Sequence, residues 1–305
     1  MSHRRQRRLL PRRSRTSLGR IHLERGRARH PRRPGVRGPV TRRHHAPPRL
    51  ARALATIAVI FFCLPFIGLL WKTPWSRVLD VFGDADSRGA LWLSMRTSIA
   101  AALLSVVFGV PLAWVLATTS FRGRNLVRAL CLISMVLPPV VGGISLLFSL
   151  GRSGLFGRWL DDWFGFQFTF SAWGVIVAQV FVAMPFLVLT VESALRQADP
   201  RFAEAARSLG ASPWYAFRRV TAPSIASALI AGTVLAWARA FGEFGATITF
   251  AGNYPGTTRT LSIETYVSLE SDPGRAMALS VMMIGVSFVV LVALRDRWLG
   301  AGERR

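Results

Sequence analysis

Long apolar segments alternate with short polar ones along the chain after residue 50. The apolar segments are about 20 residues long, which is the length an α-helix needs to cross the roughly 30 Å hydrocarbon core of a bilayer. We therefore predict an all-α polytopic membrane protein with about six transmembrane helices. The predicted spans are residues 51–71, 91–117, 126–150, 171–190, 225–251 and 276–294.

The third segment does not have the pattern of an uninterrupted helix. Pro138-Pro139 interrupts it, and Gly142-Gly143 follows. Proline removes a backbone N–H, and lipid offers no replacement partner for the freed groups. We expect a broken or closely packed helix at this point. The glycine pair is interpreted as a helix-packing contact rather than a binding loop.

Residues 199–223, called the elbow below, form a polar stretch between the fourth and fifth apolar segments. Asp199-Pro200 is a helix start signal, Gly210 is a helix end signal, and Ser212-Pro213 is a second start. We predict two short helices joined at a glycine. From these helix start and end signals alone, the elbow is either a membrane-surface loop or a docking surface for a partner.

Charge predicts which way the chain lies in the membrane. The formal net charge is +24, and arginines are concentrated in residues 1–49, in the elbow and in the C-terminal tail at 299–305. Because arginine-rich loops stay in the cytoplasm, the elbow and both termini are predicted to be cytoplasmic. Residues 1–49 are interpreted as a disordered tail, as the product of a start codon placed too far upstream, or as a nucleic-acid or partner arm.

The sequence contains few groups for catalysis or for ion coupling. Lys72 is the only lysine, so the phosphate-binding motif G-x-x-x-x-G-K-[ST] is absent, and any ATP hydrolysis must belong to another subunit. An ion-coupled carrier would need acids or histidines inside the bundle, yet no histidine follows His45. Cys63 and Cys131 lie in apolar runs and predict neither a disulfide nor a metal site. An ion-coupled carrier or a membrane scaffold remains an alternative hypothesis.

The fifth segment contains the polar groups that could act inside the membrane. Arg239 and Glu243 are four residues apart, a spacing at which side chains on one helix meet, so they form either a structural ion pair or a gating or subunit contact. Thr247 and Thr249 either line a path for the substrate or bond back to their own helix. Glu192, in the fourth segment, is expected at a membrane boundary.

The elbow resembles the E-A-A-x3-G-x9-I-x-L-P signature of permease subunits of bacterial ATP-binding-cassette importers. Glu204-Ala205-Ala206, Gly210 and the segment at 220–223 have the family spacing, with valine and alanine where isoleucine and leucine are usual. In that family the loop docks in a groove of the ATPase. The resemblance implies a type I importer architecture, a coupling loop at residues 196–223, and ATPase contacts from Arg201, Glu204, Ala205, Ala206, Gly210, Trp214 and Pro223. We expect Phe202, Trp214 and Phe217 to be exposed anchors of this surface.

Other segments resemble the molybdate branch of these permeases. They are V-L-P-P-V-V-G-G at 136–143, F-V-A-M-P-F-L-V at 181–188, and the stretches at 198–214 and 238–253. Sulfate and thiosulfate permeases have a similar G-E-[FY]-G element, but the continuation T-I-T-F-A-G-N-Y-P-G-T-T-R-T-L favours molybdate. Sulfate, thiosulfate and tungstate remain alternatives.

The resemblance also implies a permease domain at residues 50–298 and a set of partners. These are a second copy of the chain, two copies of an ATPase that bind ATP and Mg, and an extracytoplasmic oxyanion-binding protein. No cofactor, catalytic residue or nucleic-acid partner is expected for this chain. The candidates for the pore or gate are Pro138, Pro139, Arg239, Glu243, Thr247 and Thr249.

Overall fold

The structure is a computed structural model that describes residues 48–299, and every regular element in that range is helical. The predicted all-α fold is confirmed. The α-helices of this range are α1 Arg49–Lys72, α2 Trp75–Gly83, α3 Ala85–Thr118, α4 Arg124–Val136, α5 Pro139–Leu150, α6 Gly157–Phe164, α7 Ala172–Gln197, α8 Pro200–Ser208, α9 Pro213–Ala216, α10 Ala222–Ser224, α11 Ala226–Phe241, α12 Gly245–Phe250, α13 Leu261–Ser271 and α14 Pro273–Leu299. A π-helical turn, Phe217–Thr221, links α9 to α10. The predicted tails at 1–49 and 299–305 lie almost entirely outside the described residues.

Four helices in the described range are long and apolar enough to cross a membrane, namely α1, α3, α7 and the Pro273–Leu294 part of α14. They correspond to the predicted first, second, fourth and sixth spans, and each extends beyond the predicted span at one end or at both. The helical pair Pro213–Ser224 and Ala226–Phe241 has the length and apolarity of a fifth span only if its two parts are counted together, and they are bent by 80° at the break. The total of six spans stays a prediction.

The third and fifth predicted spans are each broken into two helices. Leu137 separates α4 from α5 and has an extended ψ of 136°, because Pro138 disfavours a helical conformation in the residue before it. The fifth span was predicted as one segment, but α11 ends at Phe241 and α12 begins at Gly245. The break expected in the third span is confirmed, whereas a continuous fifth span is wrong.

Helix α7 lies at the centre of the bundle and packs against α3 and α11. A glycine lies at each of these contacts, and the approach is closer at the one on α3 than at the one on α11. A Cβ on Gly109 of α3 would lie 3.0 Å from the Leu187 side chain, and one on Gly232 of α11 would lie 3.4 Å from Thr190. Close helix approach through glycine is typical of membrane bundles.

Two short helices lie in stretches that the sequence pattern predicted as loops. One is α2, which packs against α3 and α14, and the other is α13, which packs against α14 and α3. In α13, Leu261 and Ile263 are fully buried, and the Leu261 N–H donates to the Ser94 hydroxyl at 2.7 Å. Both helices are too short to span a membrane. Their positions depend on contacts with α3 and α14, which no apolar run in the sequence indicates.

Candidate functional site

The elbow has the predicted architecture of two short helices joined at a glycine. The Asp199 carboxylate accepts the Arg201 N–H at 2.9 Å to start α8, and the Ser212 hydroxyl accepts the Tyr215 N–H at 3.2 Å to start α9. Gly210 lies between them with φ of +90°, and a Cβ there would meet no atom of residues 48–299 within 4 Å. Glycine is therefore required by backbone conformation rather than by space.

Most of the predicted ATPase-contact residues lie on the exposed face of the elbow. Arg201, Glu204, Ala205, Gly210, Trp214 and Pro223 are exposed, and Ala206 is half-buried. Phe202 and Leu209 are 67% and 90% exposed. Large apolar side chains that stay exposed beside arginines and a glutamate are characteristic of interaction surfaces.

Phe217 was predicted to be an exposed anchor, and that prediction is wrong. The side chain is buried, and its ring stacks on Trp114 of α3 with 4.3 Å between the ring centroids. Trp214 stacks on Phe217 at 5.7 Å and remains 59% exposed. Phe217 therefore makes the close contact with α3, and Trp214, whose ring centroid lies 6.2 Å from that of Trp114, keeps an exposed outer face.

Clefts lie where the elbow meets the helices of the bundle. A cleft of about 670 Å³ lies where α8 faces the beginning of α11, and its lining includes Asp199, Phe202 and Thr221. A second, of about 380 Å³, lies where α8 and α9 face the end of α3, next to Trp114 and Phe217. The elbow therefore has a cleft on either side of α8, in addition to its exposed face.

An ion cluster around the buried Glu192 carboxylate lies at the base of the elbow. The Glu192 carboxylate accepts from Arg196 Nε at 3.0 Å and Nη2 at 2.8 Å, and from Arg128 Nη2. Sequence reasoning noted Glu192 but missed both of its partners. The spacing of Glu192 and Arg196, four residues apart on α7, and the isolated position of Arg128 between apolar residues were the available signals.

The predicted pore or gate residues are brought together where α5 meets α12. A Cβ on Gly245 would lie 3.0 Å from Pro139 Cβ, and one on Gly143 would lie 1.8 Å from Thr249 Oγ1 and 2.7 Å from the Ala246 carbonyl oxygen. The interpretation of the glycine pair as a helix-packing contact is confirmed at Gly143. The two helices that follow the chain breaks thus pack directly against each other.

Arg239 and Glu243 form the predicted ion pair, with 2.5 Å between Nη1 and Oε2. They do not lie on one helix, because α11 ends at Phe241. The buried Glu243 carboxylate also accepts the Ala246 N–H at 2.8 Å. Glu243 therefore holds the break between α11 and α12 by bonding to both sides of it, a role that the spacing alone did not indicate.

The two threonines of α12 differ in their surroundings. Thr249 donates to the Gly245 carbonyl at 2.8 Å, so it bonds back to its own helix. Thr247 is fully buried, and its hydroxyl has no hydrogen-bond partner among the described residues. Gln179 of α7 is also fully buried with both amide atoms unpartnered there, and the sequence pattern did not single it out. Unsatisfied buried polar groups are costly and often mark functional regions.

A charged network lies at the other end of α3 from the elbow. Arg275 donates to Asp84 at 2.8 Å and to Glu264 at 3.1 Å, and Arg77 pairs with Asp272 at 2.6 Å. The Ser87 hydroxyl and N–H, followed by the Arg275 guanidinium, hold the pKa of Asp84 below its ordinary value. The Arg275 backbone N–H and then the Arg77 guanidinium do the same for the pKa of Asp272.

Comparison with known proteins gives relatives over most of the chain. The chain is 40% identical over 250 residues to the molybdenum transport system permease protein ModB of Mycobacterium tuberculosis, covering 82% of this chain and 94% of that protein. It is 40% identical over 215 residues to ModB of Escherichia coli, covering 70% and 94%. It is 32% identical over 255 residues to the sulfate transport system permease protein CysT of Escherichia coli, covering 81% and 92%.

Solved structures share the fold at low sequence identity. A bacterial ABC transporter involved in the import of the acidic polysaccharide alginate matches with a TM-score of 0.63 at 19% identity, over 83% of this chain and 96% of that one. The MetNI methionine ABC transporter in an inward-facing conformation matches with a TM-score of 0.53 at 17% identity, over 70% and 95%. Residues 105–305 match the family of binding-protein-dependent transport system inner membrane components. This multi-pass membrane chain therefore belongs to the family of binding-protein-dependent transport system inner membrane components.

Proposed function

We propose that this chain is the permease subunit of an ATP-driven importer that carries molybdate across the cytoplasmic membrane. The observation that supports this most strongly is the 40% identity to ModB permeases, against 32% to a sulfate permease over a similar length. The permease does not hydrolyse ATP. That reaction belongs to a separate ATPase that binds ATP and Mg.

The elbow is the surface proposed to dock on the ATPase. It supplies Arg201, Glu204, Ala205, Ala206, Gly210, Trp214 and Pro223, within a coupling loop at residues 196–223. The small side chains at 205 and 206 permit close approach, and the exposed Phe202 and Trp214 rings supply rigid apolar contacts. In this proposal the elbow and both chain termini are cytoplasmic, which agrees with the distribution of arginine.

The junction of α5 and α12 is proposed to contribute to the gate on the substrate path. Pro138, Pro139, Arg239, Glu243, Thr247 and Thr249 all lie at or beside this junction. A path for an oxyanion needs hydroxyls and backbone N–H groups that bind it transiently rather than a fixed countercharge. The unpartnered Thr247 hydroxyl is fully buried in this conformation, so it would become such a group when the junction opens. A second copy of this chain would complete the path, and an extracytoplasmic binding protein would deliver the anion.

Reconstitution tests the proposal directly. Proteoliposomes containing this chain, its ATPase and its binding protein should accumulate labelled molybdate only when ATP is supplied. The variants Glu204→Lys and Gly210→Pro should lose the ATPase during purification, whereas Glu270→Lys, which changes an exposed acid on α13, should retain it. Unchanged assembly and uptake in both elbow variants would refute the docking assignment.

Sulfate is the second candidate substrate, because the CysT relatives cover as much of this chain as the ModB relatives do. Molybdate and sulfate are both tetrahedral divalent oxyanions, so the fold does not separate them. Uptake of the two labelled anions, with thiosulfate and tungstate as competitors, distinguishes these substrates. Preference for sulfate in that assay would replace molybdate in the proposal, whereas uptake driven by an ion gradient without ATP would replace the whole mechanism.

A further inference from the structure

The ion cluster of Arg128, Glu192 and Arg196 lies where the elbow joins the bundle. Glu192 is only 3% exposed, and it lies near the end of α7, which leads into the elbow. A buried carboxylate is tolerated only when charged or hydrogen-bonding partners surround it. Here Arg196 supplies partners from α7 itself and Arg128 supplies them from α4, so the cluster fixes α4 to α7.

The same cluster reaches the end of α3. Arg196 Nη2 also donates to the Leu116 carbonyl at 3.3 Å, and Arg124 Nε donates to that carbonyl at 2.9 Å. Leu116 lies in the last turn of α3, where carbonyls have no partner within the helix and cations are favoured. One guanidinium therefore joins the α7 carboxylate to the end of α3, while Arg128 brings in α4.

The elbow is attached at this same place. The Phe217 ring stacks on Trp114, which also lies near the end of α3, and α7 continues into the elbow through Ala198. A displacement of the elbow therefore moves the ends of α3 and α7 together. Hydrogen bonds from planar guanidinium groups are directional and stiff, whereas apolar side chains at a helix contact can slide and repack.

We propose that Glu192, together with Arg128 and Arg196, is the group that passes movement of the elbow to α3 and α4. This inference rests on the proposed function and deepens it. The three side chains contact neither nucleotide nor oxyanion in this role, so they are positioning residues for transport. Their loss should separate ATP hydrolysis from anion movement rather than abolish either the fold or ATPase docking.

The test compares ATP hydrolysis with molybdate uptake in proteoliposomes of the complete complex. Glu192→Gln and Arg128→Gln should each keep ATPase assembly and hydrolysis, and should lower the molybdate taken up per ATP hydrolysed about tenfold, within the usual range of coupling between sites. Arg196→Lys should give an intermediate ratio, because an ammonium group cannot reproduce the planar fork that serves both the carboxylate and the Leu116 carbonyl. Arg152→Gln is the matched control, since it removes an ion pair to Asp161 whose arginine side chain is 73% exposed, and it should leave the ratio unchanged.

The outcomes separate this inference from the proposed function. Absence of ATP-driven molybdate uptake by the wild-type complex would count against the proposed function. Normal wild-type uptake with an unaltered ratio in Glu192→Gln and Arg128→Gln would overturn the role of the cluster alone. Arg128→Gln preserves the contact between Glu192 and Arg196, so it is expected to fold. Failure of every cluster variant to yield folded complex would show a purely structural role and would also overturn the inference.

Discussion

Single side chains decide how closely the broken helices approach each other. Gly143 and Gly245 lie at the contact of α5 with α12, where a methyl group has no room beside Thr249, Ala246 and Pro139. Glu243 adds the polar half of this arrangement by accepting the Ala246 N–H and pairing with Arg239. Adding a side chain at either glycine and removing the Glu243 carboxylate are thus separate ways to disturb the same junction.

Replacing Gly143 with alanine should destabilise the protein by about 1–3 kcal/mol, the usual cost of overpacking. The new Cβ would lie 1.8 Å from Thr249 Oγ1 and 2.7 Å from a backbone oxygen that cannot rotate away. Thermal unfolding of the detergent-purified protein measures the effect. Gly89→Ala is the matched control, because a Cβ there meets no atom within 4 Å, and its stability should be unchanged or raised by up to about 1 kcal/mol. Equal unfolding temperatures in the two variants would show that the junction is loosely packed.

At the scale of elements, the elbow combines one aromatic ring that holds it in place with others that remain available. Phe217 is buried against Trp114, whereas Phe202 is 67% exposed. Substitution of the buried Phe217 should therefore affect folding stability, whereas substitution of the exposed Phe202 should affect docking.

Phe217→Ala should cost about 3–5 kcal/mol of folding free energy, as truncation of a buried aromatic usually does. Phe202→Ala should change stability by no more than about 0.5 kcal/mol, but should weaken ATPase binding by about 2 kcal/mol if it is an interface anchor. Thermal unfolding and titration with the purified ATPase measure the two quantities. The opposite order of effects would refute the division between attachment and docking.

The glycine at the turn of the elbow allows a second comparison. Gly210 and Gly123 have φ of +90° and +96°, and both have open space where a Cβ would lie. Alanine at either position should cost about 1–2 kcal/mol of backbone strain. Only Gly210→Ala should weaken the complex with the ATPase, because only that glycine lies in the elbow. A similar loss of binding in Gly123→Ala would assign the effect to general destabilisation.

The long apolar helices could be predicted from sequence because a membrane allows little else for such segments. The starts of α8 and α9 were equally predictable, since Asp199 and Ser212 act within three residues of themselves. The burial of Phe217 and the position of α13 could not be predicted in the same way. Each depends on a partner far along the chain, Trp114 in the first instance and Ser94 in the second.

The same limit explains the errors in the candidate site. The Arg239 and Glu243 pair was found from spacing. The break that leaves Glu243 in the linker after α11 was not found, because Gly242 is also tolerated inside helices. Arg128 was missed because its partner lies on another helix. Local signals therefore located the elbow, and contacts between distant segments placed the groups that support it.

At the scale of the whole molecule, α3 joins two polar regions that the bundle separates. Its first end is capped by Asp84 within the Arg275 network, and its last end carries the Leu116 carbonyl that Arg124 and Arg196 bind. Near this first end, Arg77 of α2 also pairs with Asp272, the residue before α14. The contribution of this network to the free energy of unfolding should depend on pH, whereas that of the apolar bundle should not.

Asp272 gives the pH dependence a definite sign. Folding lowers its pKa, so the ionised form stabilises the folded state above the ordinary aspartate pKa of about 4, and this contribution is lost as pH falls through the lowered value. Asp272→Asn should therefore lower the unfolding temperature near pH 7 and reduce the difference from wild type below about pH 4. Unfolding measured from pH 7 downwards tests this, with Asp80→Asn at an exposed position on α2 as the control. A constant difference between Asp272→Asn and wild type across that range would contradict the assignment.

The length of α3 has a mechanical consequence. At 1.5 Å per residue, a continuous helix of 34 residues is about 50 Å long, well beyond the thickness of the hydrocarbon core. A rod of that length acts as a lever, and a tilt of about 10° about one end displaces the other by roughly 9 Å at this rise per residue. If the elbow turns the Trp114 end of α3 as proposed, the Asp84 end would therefore move by this larger distance, and Pro111 between the two ends is the position at which bending would reduce it.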